Sequence, residues 1–157
     1  MPGPIFLVPL DGSDATEHAL RRAAHYIRLV PDAKVRLLAV LDPSFLEIPA
    51  ESLEGMDLEP SEHEVFQDLP QAQRIMHAAS EALHRAGYAP TPERLYRTGK
   101  PHDVIVAEAL RADILVMHRL DAQGITERLR GSMTERIARH AHCHVWLVDP
   151  ATEPRHA

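Results

Sequence analysis

The sequence is poor in the features that mark secreted, membrane and nucleic-acid-binding proteins. It contains one cysteine, Cys143, so an internal disulfide cannot form and a reducing compartment is indicated. No apolar run approaches the roughly 18 residues that a membrane span needs, and the start MPGP lacks the basic residues of a secretory signal. The net charge of -6 argues against nucleic acid or an anionic membrane as the main partner. We therefore expect a cytoplasmic protein with no nucleic-acid and no membrane partner.

The motifs that mark common catalytic centres are also missing. The sequence has no Walker phosphate loop, no GxSxG nucleophile elbow and no HExxH zinc motif. No motif places a base beside Cys143, so this thiol is not a nucleophile by default. The sequence therefore names no reaction, and a hydrolase is the least favoured class of function.

The sequence does contain a regular alternation of strand and helix patterns. Its 157 residues, 45% hydrophobic and 25% charged, suit a single domain over 1–157 that buries roughly 70% of its unfolded surface. Short apolar runs alternate with helical periodicity, and they predict strands at Ile5 to Leu10, Val35 to Leu41, Ile114 to Met117 and Val145 to Val148, with a weaker edge strand at Glu93 to Arg97. This order predicts an α/β fold, a parallel sheet with helices on both faces.

Capping residues mark several of the predicted helices. Ser13 or Asp14 is expected to cap the first helix, supported by Glu17 three or four residues later. Gly87 is expected to end the helix that carries the stripe Ala72, Ile75, Met76, Ala79 and Leu83.

An acidic, proline-containing segment at about 43–70 interrupts this alternation. It holds eight carboxylates and four prolines but no lysine or arginine. Its composition is typical of a solvated connection. The alternative is a lid or a loop that docks a protein partner, whose contacts would be Phe45, Leu46, Ile48, Leu53, Met56 and Leu58.

A possible anion site lies between Met117 and Thr134. Ser132 and Glu135 form a capping-box pattern, which predicts that a helix begins near Ser132. The unpaired amides and the dipole at such a helix start attract anions.

Four stretches of the sequence together carry a resemblance to a known family. They read IFLVPLDGS, GKPHDVIVAEA, ADILVMH and GSMTERIARHAHCHVWLV, and they cover nearly the whole chain. The chain resembles a single-domain member of the universal stress protein family. This resemblance implies a Rossmann-like five-stranded sheet of order 3-2-1-4-5, with a ligand crevice between the exits of the first and fourth strands. Asp11 and the pair Met117-His118 would lie at those exits.

The resemblance also implies a set of nucleotide contacts. Nucleotide-binding members carry GxxG, nine residues, and then Gly-Ser or Gly-Thr; here His118 and Asp121 stand where the two earlier glycines would be. Their bulk and the charge of Asp121 oppose ordinary triphosphate binding, although Arg119, Arg128 and Arg130 could offset that charge. By resemblance, Asp11 would hold the adenosine moiety of ATP or AMP and Val40 the base. The remaining contacts, mainly to phosphate, would be Met117, Gly131, Ser132, Met133 and Thr134.

The histidines near the end of the chain are not predicted to bind a metal. The segment from His140 to His144 contains three histidines and Cys143, but a helix end followed by a strand does not hold them in one tetrahedron. A solvated or interface cluster is expected there. His118 is interpreted as a loop histidine rather than a catalyst.

Two functions remain open on the sequence. The first is a non-catalytic, dimeric stress-response module with a degenerate nucleotide site, and the alternative is an ATP- or AMP-binding sensor with a variant phosphate loop. In both, the apolar strand Val145–Val148 at the edge of the sheet is expected to pair with its copy in a homodimer.

Overall fold

The computed structural model describes residues 2–41, 70–118 and 131–148. Strands and helices alternate along these ranges as predicted. They are β1 Ile5–Leu10, α1 Asp14–Ile27, β2 Lys34–Leu41, α2 Pro70–Arg85, β3 Glu93–Thr98, α3 Pro101–Ala109, β4 Ile114–His118, α4 Gly131–His140 and β5 His144–Val148. The acidic segment lies outside the described residues apart from Pro70, which begins α2 and suits the first turn of a helix.

The strands form a parallel sheet of order β3-β2-β1-β4-β5, which confirms the predicted order 3-2-1-4-5. β1 is central. It pairs with β2 from Ile5↔Lys34 to Leu10↔Ala39, and with β4 at Phe6↔Ile114 and Leu7↔Leu115. The residues of β1 from Phe6 to Leu10 are buried because a central strand is covered on both faces. β3 lies at one edge, as its mixed composition predicted, and β5 lies at the other.

The helices pack in two pairs against this sheet. α1 packs beside α2, and α3 packs beside α4. From β1 the chain adds strands in one direction and then reverses to add β4 and β5 on the other side. Because parallel crossovers are right-handed, this reversal places the two helix pairs on opposite faces and opens a crevice beside the exit of β1. Within the described ranges, no helix combines the length and apolar character needed to cross a membrane.

The connection after α2 is fixed by Gly87 and Tyr88. Gly87 has a φ of 100°, and the N–H of Tyr88 donates to the carbonyl of Leu83, which is the hydrogen bond of a glycine-ended helix. The predicted cap at Gly87 is thereby confirmed. The Tyr88 hydroxyl donates to the carbonyl of Ala33 at 2.9 Å and accepts from the N–H of Val35 at 3.2 Å. Tyr88 therefore ties the end of α2 to the start of β2.

Candidate functional site

The turn after β1 brings Asp11 back toward the start of α1. Gly12 has a φ of 84°, a conformation that glycine adopts without steric cost. Ser13 is the N-cap of α1, and its hydroxyl accepts a hydrogen bond from the N–H of Thr16 at 3.2 Å. Of the two predicted caps, Ser13 is therefore the one that the structure uses.

Asp11 is fully buried, and one of its two carboxylate oxygens is saturated with donors. Oδ1 accepts from the N–H of Ser13 at 2.8 Å, from the Ser13 hydroxyl at 2.6 Å and from the Thr16 hydroxyl at 2.6 Å. Hydrogen bonds to a carboxylate are stronger than those between neutral groups. The Asp11 side chain is therefore held in one orientation at the exit of β1.

His118 joins this network from the neighbouring strand. It is the last residue of β4, its side chain is only 2% exposed, and its Nδ1 lies 3.1 Å from the Thr16 hydroxyl oxygen. Burial lowers the pKa of His118, and the nearby charge of Asp11 partly opposes that shift. Burial therefore favours the neutral form of the imidazole.

The interpretation of His118 as a loop histidine is wrong. Its hydrogen-bond partner Thr16 is 102 residues away in the sequence, and its charged neighbour Asp11 precedes Thr16 by 5 residues. Both stand beside His118 because the exits of parallel strands meet at one edge of the sheet. We call Asp11, Ser13, Thr16 and His118 the exit network.

Two atoms of the exit network are buried without a partner among the described residues. They are Oδ2 of Asp11 and Nε2 of His118. Buried polar atoms are paired in the great majority of cases, and each exception calls for an explanation such as a ligand or a water molecule. The exit network is therefore a candidate site for a ligand or for a bound water molecule.

An apolar cavity adjoins the exit network. It has a volume of about 200 Å³ and lies between the first turns of α1 and the middle of α2. Ser13 and Thr16 contribute to its wall, Glu17 and Arg74 are its charged lining residues, and the apolar lining comes from Leu10, Leu20, Ile75, Ala78 and Ala79. A polar network beside an apolar wall is the composition typical of small-molecule sites. Sequence reasoning missed this cavity because its two walls come from separate helices.

Comparison with known proteins identifies the family. A sequence model of the universal stress protein family matches residues 4–149. The chain belongs to the universal stress protein family. It is 31% identical to a universal stress protein of Mycobacterium tuberculosis, over 90% of this chain and 93% of that protein. It is 30% identical to one from Methanocaldococcus jannaschii, over 90% of this chain and 79% of the relative.

Solved universal stress proteins share the fold. One in complex with cAMP has a TM-score of 0.64 at 24% identity, covering 96% of this chain and 100% of that one. One from Archaeoglobus fulgidus in complex with dAMP has a TM-score of 0.58 at 22% identity, covering 93% and 97%. These similarities support the Rossmann-like architecture.

The other predicted universal stress protein contacts lie in different environments. Val40 is one position past Ala39, the partner of Leu10, so it stands level with Asp11, but its side chain is fully buried. The side chains of Met117 and Thr134 are also buried, and Met133 packs partly against the core. Gly131 begins α4, so the predicted helix start near Ser132 holds to within one residue. Asp121, Arg119, Arg128 and Arg130 lie outside the described residues.

The exit network is not built for nucleophilic catalysis. In a nucleophilic triad the base stands between the hydroxyl and the acid and takes the proton of the hydroxyl. Here the Thr16 hydroxyl stands in the middle and directs its single hydrogen to Asp11. Thr16 is also 96% buried, since its exposed fraction is 4%. The arrangement suits binding rather than activation of Thr16.

His140 contacts a histidine of another helix. His140 lies at the end of α4, and its Nδ1 is 2.9 Å from Nε2 of His102 in α3. The two rings meet edge to face. In the part of the chain that the structure describes, no group of three or more histidine, cysteine or acidic side chains could hold a metal ion.

Proposed function

We propose that this universal stress protein is a non-catalytic stress-response module that binds an adenine nucleotide in the crevice between the exits of β1 and β4. The observation that carries the proposal is the buried Oδ2 of Asp11, which has no donor among the described residues. A carboxylate oxygen in this position accepts a hydrogen bond from a ribose hydroxyl or an adenine amino group. The solved family members in complex with cAMP and dAMP support an adenine ligand.

The phosphate end of the ligand is assigned to the start of α4. This helix begins at Gly131, and its first amides and its dipole provide an anion site. His118 and Asp121 replace two glycines of the family's loop, which favours a ligand with few phosphates. We therefore expect AMP to bind more tightly than ATP.

A homodimer is the second part of the proposal. β5 lies at the edge of the sheet, and within the described ranges no strand covers its outer side. Leu147 is 44% exposed, and Trp146 meets the exposed ring of Tyr26 at a centroid distance of 5.8 Å. An apolar edge strand of this kind favours pairing with a second copy. If the nucleotide does not bind, this surface leaves an interaction module as the alternative function.

Calorimetric titration with AMP and ATP, with and without magnesium, tests the nucleotide proposal. Asp11→Asn replaces the accepting Oδ2 by a donor while keeping the size of the side chain. Loss of one hydrogen bond to a charged group is worth about 1.5 to 3 kcal/mol, so AMP affinity should fall by about 10- to 100-fold. Asp14→Asn makes the same charge change at an exposed position of the first turn of α1 and should leave AMP affinity nearly unchanged.

Two outcomes would contradict the nucleotide proposal. One is the absence of binding heat with both AMP and ATP for the wild-type protein. The other is an equal loss of affinity in Asp11→Asn and Asp14→Asn, because it would show that total charge rather than the buried oxygen attracts the ligand.

A further inference from the structure

The orientation of the His118 ring is fixed by one of its nitrogens, which leaves the other nitrogen for a different partner. Nδ1 lies 3.1 Å from the Thr16 hydroxyl oxygen, whereas Nε2 is buried and has no partner among the described residues. A histidine whose first nitrogen is hydrogen-bonded has a defined tautomer, and this determines what its second nitrogen can do.

The hydrogen-bond directions decide that tautomer. The Thr16 hydroxyl has a single hydrogen, and it donates this hydrogen to Oδ1 of Asp11 at 2.6 Å. Toward His118 the same hydroxyl can only accept, so the ring donates from Nδ1. In the neutral ring, Nε2 is then a hydrogen-bond acceptor.

The exit network therefore offers two buried acceptors of the same kind. Asp11 Oδ2 and His118 Nε2 stand at the two ends of a single hydrogen-bonded chain that passes through Thr16. Acceptors without donors are costly when buried, whereas hydroxyl or amino groups of a ligand satisfy them. Phosphate oxygens only accept, so they gain nothing from either atom.

From this geometry we propose that His118 is a binding residue of this site, accepting a hydrogen bond through Nε2 from a ligand hydroxyl or amino group. The ligand class is an adenine nucleoside or nucleotide, whose ribose hydroxyl or amino group donates this hydrogen bond. A glycine in this position would present no such acceptor. The inference rests on the proposed function, because it concerns the same crevice.

Two substitutions distinguish the contributions of Nδ1 and Nε2 of His118 to binding. In His118→Asn the amide N–H can replace Nδ1 as the donor to Thr16, but nothing replaces Nε2. In His118→Gly both contacts are lost and the site is opened. His25→Asn, at an exposed position in the last turn of α1, is the matched control.

The experiment is a calorimetric titration of each full-length variant with adenosine, AMP and ATP at pH 7.5. The wild-type protein should bind adenosine and AMP more tightly than ATP. His118→Asn should lose about 3- to 10-fold in affinity for adenosine, AMP and ATP alike, the worth of one neutral hydrogen bond to a group that the three ligands share. His118→Gly should shift the preference toward ATP, and His25→Asn should match the wild type.

The outcomes distinguish this inference from the proposed function. If the wild-type protein binds none of the three ligands, both fail. If it binds them but the adenosine affinity is the same in His118→Asn and the wild type, the assignment to His118 is overturned and the nucleotide site stands. A loss of affinity in His25→Asn equal to that in His118→Asn also overturns it, because that result indicates an effect that is not specific to the site.

Discussion

Thr16 offers the sharpest test of the exit network, because its hydroxyl group connects Asp11 with His118. The hydroxyl donates to Asp11 Oδ1 at 2.6 Å and accepts from His118 Nδ1 at 3.1 Å, and Thr16 is almost fully buried. Thr16→Val keeps the shape of the side chain but removes both contacts. It leaves a buried Nδ1–H without an acceptor and takes one donor from the carboxylate.

The cost follows from these two losses. A buried polar group that loses its partner costs about 1 to 3 kcal/mol, and the remaining donors of Asp11 limit the second loss to the lower part of that range. We expect the free energy of unfolding to fall by about 2 to 4 kcal/mol. For a domain of this size, the melting temperature should fall by roughly 4 to 16 °C.

Urea unfolding followed by circular dichroism measures this change. Thr16→Ser is the control, since it keeps the hydroxyl and removes one methyl group, and its cost should be about 1 kcal/mol. A loss below about 1 kcal/mol in Thr16→Val, or equal losses in the two variants, would refute the exit network as a bonded unit.

Three further predictions concern pH, the core and the edge strand. Burial lowers the pKa of His118 in the folded state, so as the pH drops the unfolded chain takes up a proton on this histidine first. The free energy of unfolding should therefore fall as the pH drops below about 6.5. If His118→Asn leaves this pH dependence unchanged, the prediction is contradicted. Tyr88→Phe leaves the carbonyl of Ala33 and the N–H of Val35 without their side-chain partner, and it should lower the free energy of unfolding in urea by about 1 to 3 kcal/mol. The control Tyr26→Phe changes an exposed side chain and should cost little. A Tyr88→Phe variant as stable as the wild type would show that these groups find other partners. Leu147→Pro should dissociate the proposed dimer because it removes a backbone N–H from the edge of the sheet, whereas the control Leu147→Ala keeps that N–H. Sedimentation at concentrations on the order of tens of micromolar measures the change. A monomeric wild type would refute the pairing of β5.

Local patterns were sufficient to predict the strands and helices of the fold. The apolar run of β1, the cap at Ser13 and the left-handed glycine at position 87 each act within a few residues, so the sequence shows them directly. The strand order came from the family resemblance, and the observed registers confirm it. The position of Asp11 at the exit of the central strand followed from these two together.

The contacts that give the site its chemistry could not be predicted in the same way. Thr16 and His118 are 102 residues apart, and His102 and His140 are 38 apart. Such pairs depend on strand register and helix packing, which leave no local periodicity in the sequence. The buried position of His118 was missed for this reason, since the strand pattern ended at Met117, one residue too early.

The central claim is that an adenine nucleotide binds where β1 and β4 end, and mapping of backbone amide chemical shifts by NMR during titration with AMP tests it most directly. We predict saturable shifts concentrated at Gly12, Ser13 and Thr16, at His118, and at Met133 and Thr134 in the first turn of α4. Two results would contradict the account. One is shifts confined to other parts of the described chain, such as the outer side of β5. The other is no shifts at millimolar AMP, a concentration on the order of a weak ligand's dissociation constant.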